Sequence, residues 1–467
     1  MLQIKKEDVL ARLKRDNPWW GAEANIAPWF RGLPHRLYFD SFYSLVATTS
    51  VKRAVVMLGP RRVGKTVMLY QAIARLFSEK KAPNRVMYLS LDTPTYTGMA
   101  LEELLLLAVD SNLFIQDEAF LFFDEIQYLK DWERHLKSLV DSYPGIKFIA
   151  SGSAAAALRF KSQESGAGRF TDYVLPPLSF AEYINFKSLD HLLVKGDRWY
   201  ASNNIELLNN AFVEYINYGG YPEAVFSEDI QRDPGRYIRQ DIIDKVLLRD
   251  LPSLYGISNT QELNRFFAFL AYHTGNEMSL ESLSQGSGVS KPTLTNYIKY
   301  LEAAFLIAKV RRVDESCNHF TRERNFKVYL TNPSLRAALF EPVEDDDGQL
   351  LGHLAETAVI SQWLHSPEFT DKNFYSRWRT GEVDLIHMER SLARASWAVE
   401  IKWSDAAYKD TRYQSVLAGF LKKNNIASMI ITSKSVTATS GQFQILPTSA
   451  YCYTLGMNII SSLRVVG

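Results

Sequence analysis

Between residues 54 and 78 the chain sets an apolar run, a glycine-bounded loop and an amphipathic segment in immediate succession. Ala54-Val55-Val56-Met57-Leu58 is wholly apolar, the pattern of a buried parallel strand. Gly59-Pro60-Arg61-Arg62-Val63-Gly64-Lys65-Thr66 follows. From Thr66 to Phe77, Leu69, Ile73, Leu76 and Phe77 share one side of a helix. Gly59 and Gly64 permit torsions and a close backbone approach that a side chain would block. Backbone N–H groups in such a loop, with the positive end of the next helix, form a cradle for an anion. The spacing G-x-x-x-x-G-K-[ST] is that of a phosphate loop. It predicts that residues 59–66 hold ATP, with Lys65 reaching the β- and γ-phosphates and Thr66 offering its hydroxyl to Mg²⁺.

A second motif supplies what such a loop needs. Phe120-Leu121-Phe122-Phe123 reads as a buried strand ending in Asp124-Glu125. In open α/β sheets, ligands gather at the carboxyl ends of strands. Asp124 is therefore predicted to hold Mg²⁺ and Glu125 to polarise the attacking water. Further apolar runs at 85–91 and 146–150 alternate with helical segments at 66–79, 100–112 and 131–142, which implies a parallel sheet covered by helices. The run at 146–150 ends in Ser151-Gly152-Ser153, where a polar side chain would lie beside the loop. Tyr173-Val174-Leu175 is a candidate fifth strand, preceded by Gly168-Arg169. Arg169 is assigned the neutralisation of transition-state charge, within the chain or across a homo-oligomer boundary.

At 467 residues the chain exceeds one ordinary core. A net charge of +1 excludes a bulk polycation while leaving local basic patches open. Two cysteines, Cys317 and Cys452, cannot form a metal cluster by themselves and fit a reducing, cytoplasmic setting. The first residues lack the apolar core of a signal peptide, and no run is long enough for a membrane helix.

Residues 1–34 form a leader whose Trp19-Trp20 and Trp29-Phe30 are expected to pack on the next domain. An ATPase domain is assigned to 35–188 and a mostly helical lid to 189–258, broken by the turn Gly219-Gly220-Tyr221-Pro222. Residues 259–343 follow a helix-turn-helix plan: a capped helix from Ser279, a turn at 286–290, then a helix from Lys291-Pro292. Runs at 306–310 and 326–330 pair as a wing made basic by Lys309, Arg311, Arg312, Arg322 and Arg324. DNA contact through the second helix and wing is one expectation; an interdomain packing module is the other. Glu344-Asp345-Asp346-Asp347-Gly348 marks the last boundary.

Residues 344–467 hold a second constellation. Glu356 sits on a helix, Asp384 on an alternating strand, and Glu400 and Lys402 on another strand, two residues apart and so on one face. A hairpin around Glu389 to Arg394 would seat Asp384 beside Glu400. Two carboxylates and a lysine suit metal-dependent phosphodiester hydrolysis: Asp384, Glu400 and Glu356 would hold Mg²⁺ or Mn²⁺, and Lys402 would orient or deprotonate water. A surface ion-pair ladder across the hairpin is the alternative.

Taken with Phe123-Asp124-Glu125-Ile126-Gln127, Leu178-Ser179-Phe180-Ala181-Glu182-Tyr183, Gly219-Gly220-Tyr221-Pro222-Glu223, Gly381-Glu382-Val383-Asp384 and Glu400-Ile401-Lys402, the chain resembles the prokaryotic AAA-type ATP-binding proteins that carry a C-terminal domain of unknown function. The last domain resembles the restriction-endonuclease-like PD-(D/E)XK fold, with Val383 where that motif has proline. The resemblance implies metal ligation by Asp384 and Glu400 and catalysis by Lys402. The expected fold class is α/β and multidomain: a P-loop AAA-type parallel sheet with helices on both faces, a helical lid, a winged helix-turn-helix and a nuclease-like α/β domain. The expected function is an ATPase that gates a nuclease-like domain acting on nucleic acid. The alternative is a signalling ATPase whose last domains bind DNA or a partner without cleaving.

Overall fold

The computed structural model describes residues 5–21, 30, 32–153, 168–320, 324–344, 347–366, 369–389 and 394–465. Trp29, Arg322, Asp345, Asp346 and the middle of the 389–394 turn lie outside them. Two compact units result: Met1–Leu175 with Ser462–Gly467, and Pro176–Ser461.

The first unit is built on five parallel strands, β1 (Ala54–Leu58), β2 (Val86–Ser90), β3 (Ala119–Asp124), β4 (Ile146–Gly152) and β5 (Phe170–Val174), in the order β2-β3-β4-β1-β5. Helices α1 (Lys6–Asp16), α2 (Phe39–Ala47), α3 (Lys65–Ser78), α4 (Leu101–Asp110) and α5 (Trp132–Ser142) precede or link them. Every residue of β1, β3 and β4 is buried, which is why these strands read as largely apolar runs, interrupted inside β4 by Lys147. The register sets Leu58 against Gly152 and Phe123 against Ala150. The carboxyl ends of β1, β3 and β4 therefore meet at one end of the sheet, where Asp124 lies beside Ser151.

The leader finishes the exposed edge of β2. The Asn17 side chain donates to the Tyr88 carbonyl at 2.9 Å and accepts from the Tyr88 N–H at 2.6 Å, imitating a neighbouring strand. Trp19 and Trp20 both donate their indole N–H to the Val86 carbonyl.

After a short capped helix over Phe180–Phe186, the second unit continues with a ribbon, β6 (Leu193–Lys195) and β7 (Tyr200–Ser202), and a helix, α6 (Ile205–Tyr218). Beyond it lie α7 (Thr260–Tyr272), β8 (Glu277–Ser279), α8 (Leu280–Ser287), α9 (Lys291–Ala303), β9 (Ile307–Val313) and β10 (Asn325–Leu330). Then come α10 (Gly348–Trp363), β11 (Asn373–Trp378), β12 (Gly381–Met388), β13 (Ala395–Glu400), α11 (Thr411–Lys423), β14 (Met429–Ser433), β15 (Ala438–Ser440) and β16 (Phe443–Pro447). Ser279 and Ser290 cap α8 and α9 through the N–H groups of Ser282 and Thr293. Nine strands form one sheet in the order β15-β16-β14-β13-β12-β11-β9-β10-β8. Its join is the parallel pairing of β9 with β11, Arg311 against Phe374 and Val313 against Ser376. The boundary expected at residue 344 therefore crosses a single sheet instead of separating two. Among the described residues, no helix is long and apolar enough to cross a membrane.

Replacing Asn17 with alanine strips both partners from the Tyr88 backbone at a fully buried position. Urea unfolding followed by tryptophan fluorescence should show a loss of about 1–3 kcal/mol in the first unit. An unchanged midpoint would mean the leader does not stabilise the sheet edge.

Candidate functional site

Gly59 leaves β1 where the backbone of Leu175 crosses closely; a Cβ there would meet the Leu175 carbonyl oxygen at 2.2 Å. No other residue fits without moving the end of β5. Arg62 and Gly64 both have positive φ, 65° and 95°. Such backbone turns direct successive N–H groups inward, the arrangement of an anion-binding nest. Lys65 opens α3 and is buried, its Nζ donating to the carbonyls of Gly59 at 3.0 Å and Pro60 at 2.6 Å. It spans the loop from inside. The Val63 carbonyl accepts from Arg36, which ties the outer turn down.

Asp124, on β3, is the hub beside this loop. Its Oδ2 accepts from Thr66 Oγ1 at 2.7 Å and from the Tyr88 hydroxyl at 2.8 Å. Its Oδ1 accepts from Ser151 Oγ and from the Glu125 N–H. A hydroxyl and a carboxylate held together at the mouth of a glycine cradle are hard oxygen donors of the kind Mg²⁺ prefers, so Thr66 and Asp124 fit that ion. Glu125 sits just past the strand in a left-handed conformation, φ 54°. Burial raises its pKa; Lys65 and Arg61 oppose the rise and Asp124 adds to it. Gln127 donates to Glu125 Oε2 and accepts from the Ser153 N–H, so it fixes the carboxylate relative to the end of β4.

Two of these residues escaped the sequence reading. Tyr88 left a faint signal, a hydroxyl inside an otherwise apolar strand. Gln127 closes a motif that carries the resemblance, but its role depends on the turn made by Glu125. Arg169 needs correction: it immediately precedes β5, whose first residue pairs with Ala54 at the start of β1. That is the opposite end of the sheet from the loop. Its guanidinium, half-exposed, pairs with Asp141 at 2.9 Å, so within one chain Arg169 does not reach the cradle.

The second unit gathers Glu356 from α10, Asp384 from β12, Glu400 from β13 and Lys402 from the segment after it. Leu385 pairs with Val399, which brings the Asp384 N–H to 3.3 Å from Glu400 Oε2. Lys402 Nζ lies 2.6 Å from Glu400 Oε1 and 3.4 Å from Asp384 Oδ2, and the Tyr413 hydroxyl donates to Glu400. A residue not anticipated completes the cluster. Lys327, on β10 and 3% exposed, puts its Nζ 3.0 Å from Glu356, 2.6 Å from Glu382 and 3.1 Å from Asp384. Its signal was a lone lysine within Phe326-Lys327-Val328-Tyr329-Leu330.

Among the described residues, no three His, Cys, Asp or Glu side chains are placed to hold a metal ion. Lysine ammonium groups stand between the carboxylates expected to hold Mg²⁺ or Mn²⁺: Lys327 bridges Glu356 and Asp384, and Lys402 bridges Asp384 and Glu400. Burial raises Glu400 to about 7, Asp384 adding and Lys402 opposing. Burial and Asp384 likewise raise Glu356, against Lys327. Burial would raise Asp384 too, but Lys402 and Lys327 hold it below the usual range.

Three basic residues of β9 are engaged within the sheet. Lys309 lies over the Phe326 ring and Arg311 over Phe374, and Arg312 pairs with Glu277 at 3.5 Å.

With this geometry in view, the likenesses to other proteins fall into place. A family model described as an AAA domain matches residues 51–184, the segment that holds the loop and Asp124-Glu125. Over that segment the first unit is similar to AAA domains. A domain of unknown function, DUF8612, matches residues 209–346. The uncharacterized protein MJ1544 of Methanocaldococcus jannaschii is 29% identical over 376 residues, 77% of this chain and 80% of its own. An uncharacterized protein of Haemophilus influenzae is 25% identical over 287 residues, 60% of this chain and 68% of its own. Among solved structures, the Aeropyrum pernix ORC1 protein in complex with DNA aligns at 13% identity, 68% of this chain and 95% of that one, with a TM-score of 0.30. A Thermotoga maritima RuvB variant aligns at 14% identity, 58% and 88%, with a TM-score of 0.29. Scores this low decide neither fold nor function.

The Glu400 pKa has a consequence with a definite sign. Its folded value of about 7 exceeds the ordinary 4.5, so the folded state favours the protonated form. The associated stability is complete below the ordinary value and is lost as pH rises through the folded value. Thermal melts across that window should fall with pH in the native chain and fall less steeply in Glu400→Gln. Parallel slopes would contradict the assignment.

Proposed function

We propose that this protein binds Mg²⁺–ATP in the cradle of residues 59–66 and hydrolyses it to ADP and phosphate. One observation carries most of the weight: the Thr66 hydroxyl and the Asp124 carboxylate meet at 2.7 Å beside a loop that only glycine can begin. Backbone N–H groups of the loop and the start of α3 bind the phosphates. Lys65, already inside the loop, supplies a positive charge near the β- and γ-phosphates. Mg²⁺, held by Thr66 and Asp124, would supply further neutralisation of the phosphate charge. Glu125 orients the attacking water and accepts its proton, a task favoured by the raised pKa. Gln127 and Ser151 set the position of the two acids.

In the second unit we favour a non-cleaving role: an ATP-controlled switch whose C-terminal elements bind a partner. The pairing of both lysines with the carboxylates supports this over phosphodiester cleavage. The helix-turn-helix plan of α8 and α9 supports nucleic acid, DNA first, as the partner, with Asn296 and Lys299 exposed on the second helix. The buried, unbridged cysteines support a cytoplasmic setting.

Steady-state ATPase measurements test the first part. The native chain should turn over ATP. Glu125→Gln should lose roughly 100-fold or more in kcat while still binding ATP, and Lys65→Ala should lose ATP binding. Equal turnover by Glu125→Gln would remove Glu125 from the reaction. For the second part, a labelled duplex should bind with an affinity that falls as salt rises and weakens in Lys299→Glu. Mg²⁺-dependent cleavage of that duplex by the native chain, abolished in Lys402→Ala, would restore the nuclease reading.

A further inference from the structure

We propose that Lys327 is a tethered cation that takes the place a divalent metal ion would occupy among Glu356, Glu382 and Asp384, and so keeps this cluster metal-free. The inference stands apart from ATP turnover, because every residue it uses lies within the second unit.

The chemistry begins with β10. Its neighbours Phe326, Val328 and Leu330 are buried and apolar. A lysine in such a strand meets a large desolvation cost unless each of its three N–H donors finds an acceptor. Lys327 has three carboxylate acceptors, one from α10 and two from β12. The Tyr329 hydroxyl adds a bond to Glu356 Oε1 at 2.6 Å. On the far side of Asp384, Oδ2 accepts from the Ile401 N–H at 3.0 Å and faces Lys402. The oxygens therefore stand at hydrogen-bond distances from nitrogen, longer than the roughly 2.1 Å at which Mg²⁺ takes its ligands. A divalent ion entering between them would meet two ammonium groups, and its entry requires Lys327 to leave.

The position of Lys327 in the chain adds a structural role. The acids belong to elements after residue 344, and the cation belongs to the hairpin before it. The ammonium thus fastens β10 to α10 and β12 by charge, on top of the continuous sheet. Its removal should leave buried, uncompensated carboxylates, the costly half of a broken buried pair.

Mn²⁺ is the probe, used on the full chain without nucleotide and read by thermal melting and titration calorimetry. The native chain should melt at the same temperature with Mn²⁺ or with EDTA and show no heat that depends on Asp384. Lys327→Ala should melt roughly 5 °C or more lower, regain part of that loss with Mn²⁺, and lose the regain when Asp384→Asn is added. Three results overturn the proposal: Asp384-dependent Mn²⁺ uptake by the native chain, a Lys327→Ala melt equal to the native one, or a lowered melt that Mn²⁺ does not raise. Should Lys327→Ala fail to fold, the pair Lys327→Met with Glu356→Gln replaces it. That pair removes opposite charges together and should fold and melt closer to the native chain. Failure of the pair to fold would also overturn the proposal.

Discussion

The Asp124 carboxylate is the interaction on which the first unit turns. Four donors converge on it from the phosphate loop, β2, the end of β4 and its own following residue. Each donor belongs to a different stretch of chain, so the carboxylate reports the relative position of all of them. A buried acid with that many donors is held in one position, which is what a magnesium ligand requires. The parallel sheet makes the convergence possible, because parallel register delivers the carboxyl ends of adjacent strands to one end of the sheet. The leader contributes at a distance: Asn17 holds the Tyr88 backbone, and Tyr88 holds Asp124.

A contrasting use of charge appears in the second unit. There the acids are shared between lysines from β10 and from the segment after β13, and the tyrosines add neutral donors. Removing one member of such a network costs far more than the network is worth as a whole, because the partner is left charged and dry. The same residues that make a sequence look like a hydrolytic site therefore also make a stable charge lock. What distinguishes the two is where the ammonium groups point, and that is a tertiary fact.

The sequence exposed the first site more fully than the second for a physical reason. Gly59 to Thr66 and Asp124-Glu125 act through local geometry, a loop between strand and helix and a strand end, and local geometry follows from spacing. Tyr88 and Gln127 act through pairing between strands and through a left-handed turn, which spacing does not encode. Arg169 misled because its nearness to a strand was visible while the end of the sheet was not. In the second unit, β13 ends at Glu400, so Lys402 lies past the strand on which spacing placed it, yet its Nζ still reaches Glu400 at 2.6 Å, and the β12–β13 hairpin brings Asp384 beside them. Lys327 was hidden because it enters from a hairpin more than 50 residues before Asp384, through a β9–β11 pairing that joins segments read as separate domains.

The account rests on the oxygen pair of Thr66 and Asp124 receiving Mg²⁺ together with ATP. Calorimetric titration of ATP into native chain and into Asp124→Asn, each with Mg²⁺ and with EDTA, tests this most directly. The native chain should bind ATP at least about tenfold more tightly with Mg²⁺, and Asp124→Asn should lose that gain while still folding. An Mg²⁺ gain of equal size in both chains, or no uptake of ATP by the native chain under either condition, would contradict it.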